Sequence, residues 1–213
     1  VLFVFAYRLN GQEIIEIYPK NQIPNQNHSI VKDSIVNDRY LQIEKPRITV
    51  YKTSDDENKG AAVLIIPGGA YHHVTHNMSG IQLAKWFNTM GMNAFVLYYR
   101  LPNQPNLIVR ELAPLQDAQR AMQIIRANSE KWNIDTTRIG VLGTSAGGHL
   151  AALLATQNEN ITNQKDEFSN VSFKTNFMVL ISPVISMNTE ISHKWSCINL
   201  LGENPPQHLI NKY

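Results

Sequence analysis

Apolar residues in this chain fall into short runs, set apart by polar or Gly- and Pro-rich stretches. Glu13–Tyr18 reads as a first strand that ends at Pro19. Arg47–Tyr51 alternates and reads as a half-buried strand. Ala61–Ile66, Asn93–Tyr99 and Ile139–Leu142 are continuous apolar runs, the pattern of strands covered on both faces. Phe177–Ile181 is the last such run. Between them lie stretches with helical spacing. One runs from Ser79, whose hydroxyl is placed to cap it, to Met90; it carries Ile81, Leu83, Ala84 and Phe87 on one face and is closed by Gly91. A second runs from Pro114 to Trp132, with Leu115, Ala118, Ala121, Met122 and Ile125 inward. A third begins at Ala146. Asn21–Asp38 and Thr156–Lys174 are polar and read as loops, and a short helical start precedes Tyr213. Strands alternating with helices predict an α/β fold, a mostly parallel sheet with helices on both faces.

Composition narrows this picture. The 213 residues are 43% hydrophobic and only 17% charged, enough for one sizeable core, and no repeat or second domain is visible. A net charge of +2, without a basic run, argues against a nucleic-acid partner. No apolar run is long enough to span a membrane. Cys197 is alone, so no intrachain disulfide is expected. Residues 1–12 open with Val-Leu-Phe-Val-Phe-Ala and then turn polar, which reads as the remnant of a secretory signal, with an N-terminal strand as the alternative. A secreted or periplasmic location is the expectation, a cytoplasmic one the alternative. Residues 13–213 are read as the domain.

Candidate chemistry concentrates in Gly143-Thr144-Ser145-Ala146-Gly147, between a buried strand and a helix of small apolar residues. A serine is a poor nucleophile unless it is lifted clear of its strand, and a sharp strand-to-helix turn does this at the cost of backbone strain. The residues two before and two after then crowd together, which favours glycine at both. Ser145 is the candidate nucleophile, and the N–H of Ala146, at the positive end of the helix dipole, is the first oxyanion donor. The rival readings are a serine that merely caps the helix and a loosely spaced dinucleotide turn. The latter wants Gly-x-Gly-x-x-Gly and an acid ending the next strand, and neither is present.

A second donor is expected from Pro67-Gly68-Gly69-Ala70-Tyr71, which follows an earlier strand. Gly69 and Ala70 are the candidates, with Gly68 next; an ordinary strand-ending turn is the alternative. Tyr71 is a candidate to line the substrate cleft, or to pack.

Taken together, Gly143-Thr144-Ser145-Ala146-Gly147-Gly148-His149, Pro67–Tyr71, Tyr99-Arg100-Leu101-Pro102 and Pro114–Ala121 resemble the α/β-hydrolase esterases. More narrowly, they resemble the carbohydrate-esterase-like branch that includes acetylxylan and feruloyl esterase relatives, as does Ile17-Tyr18-Pro19. The resemblance covers roughly residues 13–213. It implies an α/β-hydrolase fold and hydrolysis of short acyl esters, including acyl groups on plant polysaccharide, with no cofactor and no metal. Where lipase relatives carry His-Gly-Gly-Gly, Pro67 and Ala70 stand at the first and last places.

The triad of this fold runs Ser, then Asp or Glu, then His. Only one clear strand follows Ser145, so the acid and base that the resemblance calls for are expected beyond Tyr213. The chain alone is then expected to show an exposed apolar sheet edge and to be inactive or nearly so. His193 and His208, with Asp166, Glu167, Glu190 and Glu203, are the local candidates and read as solvated loop residues. His72 and His76 have helical ligand spacing without an accompanying Glu; a rim loop is preferred over a metal site. His149 reads as a packed histidine, and Asp117 with Arg100 as a structural brace. A peptidase of the same fold and a non-catalytic hydrolase-like binding domain are the competing functions. Oligomeric state is not legible.

Overall fold

The computed structural model describes residues 12–213. The expectation for residues 1–12 lies, Gln12 aside, outside them. The strands are β1 (Ile14–Glu16), β2 (Ser34–Val36), β3 (Arg39–Gln42), β4 (Arg47–Tyr51), β5 (Ala61–Ile66), β6 (Met92–Tyr98), β7 (Ile139–Thr144) and β8 (Met178–Ile181). The α-helices are α1 (Gln82–Thr89), α2 (Leu112–Ala127), α3 (Ala146–Thr156), α4 (Lys194–Leu201) and α5 (Gln207–Lys212).

The main sheet runs β1-β4-β6-β5-β7-β8. β6, β5, β7 and β8 are parallel, while β1 and β4 join antiparallel. All of β5 is buried, as its unbroken apolar run requires for a central strand covered twice. Its side chains divide by the strand period. Ala62, Leu64 and Ile66 pack into the larger core with α2 and α3, whereas Val63 and Ile65 face the smaller one with Ala84 and Phe87 of α1. Helices therefore cover both faces.

Several expected boundaries move. The helix drawn from Ser79 begins as a π-helical turn at Asn77–Ile81, and no side chain caps it. Gly91, at φ +76, closes α1 as expected, and a Cβ there would lie 2.3 Å from the Glu57 carbonyl. α2 stops at Ala127 rather than Trp132; a separate 3-10 turn, Glu130–Trp132, follows and is ended by Asn133 in the left-handed region at φ 49. The stretch read as loop up to Asp38 contains β2, which pairs with β3 around Asn37-Asp38, both at positive φ.

β8 is an edge strand. Met178, Val179 and Ile181 are 42%, 38% and 41% exposed, unusual for a strand of a parallel array. The apolar sheet edge anticipated from the sequence is thus present. Among the described residues no helix is long and apolar enough to cross a membrane.

Candidate active site

The site is built where β5 and β7, neighbours in the sheet, end side by side. β7 delivers Ser145 at φ 53, ψ −122, outside both the helical and the extended regions. Its side chain makes no capping hydrogen bond, so the rival reading of Ser145 as a helix cap finds no support. The strained backbone is held from three directions. The Ser145 N–H donates to Ile181 O (3.0 Å), and Ser145 O accepts from His149 N and Val184 N (3.1 Å each). Strain persists only where surroundings over-determine it, and here β8 and the first turn of α3 do so.

The crowding expected between Gly143 and Gly147 is present. A Cβ on Gly143 would sit 2.2 Å from Gly147 O, and one on Gly147 would sit 2.2 Å from Ile66 O. The second contact brings the start of α3 against the end of β5, which the sequence does not reveal.

The loop after β5 is fastened residue by residue. Tyr99 Oη donates to Pro67 O (3.0 Å), and Gly68 N donates to Thr144 Oγ1 (2.9 Å). Gly68 is therefore no free donor; its amide is engaged by the residue preceding Ser145. The N–H groups of Gly69, Ala70 and Ala146 meet no acceptor among the described residues. Gly69, Ala70 and Tyr71 all have positive φ, at 137, 54 and 59. Gly68 lies so close to Ser145 that a Cβ on it would be 3.1 Å from Ser145 Cβ. An elbow serine thus stands beside a loop of unengaged backbone donors, the arrangement that stabilises an oxyanion.

Tyr71 does not line an open cleft here: its side chain is completely buried. Its hydroxyl lies 2.8 Å from His149 Nδ1, and His149 Nε2 lies 2.7 Å from Tyr213 O. A carbonyl oxygen only accepts, so Nε2 carries the proton and Tyr71 donates to Nδ1. Tyr71 instead ties the donor loop to the helix behind Ser145, and His149 is the packed histidine anticipated. Burial pushes the Tyr71 hydroxyl well above its ordinary value, which keeps it a donor.

Burial also lowers the His149 pKa below 6.5, only partly opposed by the Tyr213 carbonyl. Between the two values the unfolded chain binds more protons than the folded one, so stability rises with pH. The contribution of neutral His149 is complete above 6.5 and is lost as pH falls below it. Denaturant midpoints from pH 7 to pH 5 should fall in the parent, and less so in His149→Gln. An identical slope in both would exclude His149 as the source. Asp166 titrates lower: burial alone would raise its pKa, but hydrogen bonding and charge from Arg120 outweigh that and hold it below 3.8.

The local triad candidates have other occupations. His193 Nδ1 contacts Ser196 Oγ at 2.9 Å, His208 is exposed on α5, and Asp166 pairs with Arg120. Glu167, Glu190 and Glu203 are exposed. His76 is held by Asp38 (2.7 Å) and Tyr98 Oη (3.2 Å), leaving His72 with His73, their Nδ1 atoms 3.4 Å apart. Among the described residues no three His, Cys, Asp or Glu side chains are grouped to hold a metal.

Sequence reasoning missed Thr144 and Asn199, whose Nδ2 reaches Ala70 O from α4 at 2.9 Å. The apolar spacing of Cys197, Leu200 and Leu201 is the signal that would have drawn α4.

Fold and elbow together define an α/β-hydrolase domain with a sharp strand-to-helix turn at Ser145. Comparison narrows the class. A family model described as BD-FAE matches residues 48–210, and the chain belongs to that family. It is 37% identical over 144 residues to an acetylxylan esterase of Xylanibacter ruminicola, covering 68% of this chain and 27% of that protein. Among solved structures, an acetyl ester-xyloside bifunctional hydrolase from Caldicellulosiruptor lactoaceticus matches with TM-score 0.73 and 34% identity, over 93% of this chain and 66% of that one. A Thermogutta terrifontis esterase shares the fold at TM-score 0.64 and 21% identity, over 95% of this chain and 67% of that one. The chain therefore spans about a quarter of the first relative, 27%, and about two thirds of the first structure, 66%.

Proposed function

We propose that these residues are the nucleophile-bearing part of a carboxylic ester hydrolase acting on short acyl esters, foremost acetyl groups on plant polysaccharide. The single observation that carries the reading is Ser145, strained and uncapped, beside the unengaged N–H groups of Ala146, Gly69 and Ala70. The substrate class rests on the acetylxylan esterase and acetyl ester-xyloside hydrolase relatives. The reading includes an exported protein, since such polysaccharide lies outside the cell.

In this mechanism Ser145 Oγ attacks the ester carbonyl carbon as its proton passes to a histidine base. The carbonyl oxygen becomes an oxyanion held by the N–H groups of Ala146 and of Gly69 or Ala70. The C–O bond to the alcohol then breaks, and the alcohol leaves with the proton from histidine. Water repeats the sequence on the acyl-serine, releasing the acid and restoring Ser145. The reading requires a histidine base and a carboxylate that orients it.

The test is a substrate panel on the full-length protein. Nitrophenyl acetate and acetylated xylan should be turned over, and peptide amides not. Preference for amides would move the assignment to a peptidase. No turnover, together with no fluorophosphonate labelling, would move it to a binding domain.

A further inference from the structure

The Ala70 peptide raises a question that the catalytic reading leaves open. Ala70 is not glycine, yet it sits at φ 54 between Gly69 at φ 137 and Tyr71 at φ 59. An L-residue there crowds its Cβ against backbone carbonyl oxygen, so the conformation needs external support. Two contacts supply it on the C-terminal side. One is the Tyr71 hydroxyl on His149. The other comes from far away in the chain: Asn199 Nδ2 donates to Ala70 O at 2.9 Å. A carbonyl can face only the NH₂ end of an amide, so the Asn199 orientation is dictated by its partner.

We propose that Asn199 is a positioning residue for the oxyanion loop, an inference that rests on the esterase reading above. In a planar trans peptide the C=O and N–H point opposite ways. Holding Ala70 O toward α4 directs the Tyr71 N–H to the other side and fixes Ala70 ψ and Tyr71 φ, so it anchors the C-terminal end of the positive-φ run whose Gly69 and Ala70 N–H groups are unengaged. A flip of the 70–71 peptide would take Tyr71 out of positive φ and release the loop that carries the Gly69 and Ala70 N–H groups.

The amide is itself held firmly. Cys197 and Leu200 of α4 are buried in the main core, and Arg110 Nη2 donates to Asn199 O at 2.6 Å. A donor presented by a packed, braced helix is placed more precisely than one on a loop. It also makes catalytic geometry depend on a segment that follows β8, well outside both catalytic motifs.

The test uses the full-length protein with Asn199→Leu, similar in size but without the donor, and Asn199→Asp, which sets a carboxylate against the carbonyl. In both, kcat on nitrophenyl acetate should fall about 10- to 100-fold, with KM within about threefold and the melting temperature near the parent value. A crystal structure of Asn199→Leu should show the 70–71 peptide turned and Tyr71 out of its positive-φ conformation. An unchanged kcat, a loss explained by unfolding, or a Tyr71 that keeps its positive φ overturns the inference. If the parent hydrolyses no ester, the functional reading fails by itself, and the orientation of the 70–71 peptide in the variant crystal still decides the role of Asn199.

Discussion

Ser145→Ala in the full-length protein should abolish ester hydrolysis, with kcat down about 10⁶-fold and fluorophosphonate labelling lost. The size of the effect follows from the chemistry assigned to one atom. Without Oγ no acyl-enzyme forms, and a base without a nucleophile to deprotonate has nothing to act on. What survives is the field of the loop and elbow N–H groups, worth some residual rate over water. The fold should survive intact, because the Ser145 side chain makes no capping bond and the backbone contacts that hold its φ of 53 do not involve the hydroxyl. Serine and alanine also share the Cβ that this conformation strains. The check pairs steady-state kinetics with a melting curve. Parent-like turnover in a folded variant would remove Ser145 from the mechanism and with it the proposed function.

Asp117→Ala should be the most damaging single change to stability, costing about 3–5 kcal/mol. Both side chains of the Arg100–Asp117 pair are wholly buried, at 0% exposure, with Nη2 and Oδ1 2.7 Å apart. Asp117 also accepts from the Arg100 backbone N–H at 2.8 Å and from Nε at 3.1 Å. The brace anticipated from the sequence is therefore real, and it ties the end of β6 to α2. Removing the carboxylate strands a guanidinium away from water, with the Pro24 carbonyl and Tyr18 left beside it. For a domain of this size the melting temperature should fall roughly 10 °C. Replacing both partners with apolar residues should recover part of the loss, since the damage comes from the orphaned charge more than from the missing attraction. Denaturant melts of the single and double variants measure both effects. A single-variant cost below about 1 kcal/mol, or turnover lost with stability kept, would contradict the structural role.

The parts of this site legible in the sequence are those decided by neighbours along the chain. Gly143 and Gly147 flank Ser145 because a turn that tight brings them into contact, and a Cβ added to Gly143 would clash with Gly147 O at 2.2 Å. Ala61–Ile66 reads as a buried strand because every position is apolar, and every position is buried. The β2–β3 hairpin escaped notice because its strands are short and sit in polar surroundings, although Asn37-Asp38 between Ile35-Val36 and Tyr40-Leu41 is a hairpin signature. Tyr71 was ambiguous for a different reason. An aromatic beside a glycine loop can face a cleft or a core with equal local sense, and only the partner at His149 decides between them.

By itself, then, the sequence marked the alternation of the main-sheet strands with α1, α2 and α3, the serine elbow and the glycine-rich loop after β5. Each depends on sterics or hydrophobic period within a few residues. Tertiary structure alone decided that Thr144 takes the Gly68 amide, that Tyr71 turns inward to His149, and that Asn199 reaches the Ala70 carbonyl 129 positions away in the chain. Hydrogen bonds of this kind leave no periodic trace, because donor and acceptor meet only after separate elements have packed. The orientation of the backbone donors is therefore written in the assembled fold.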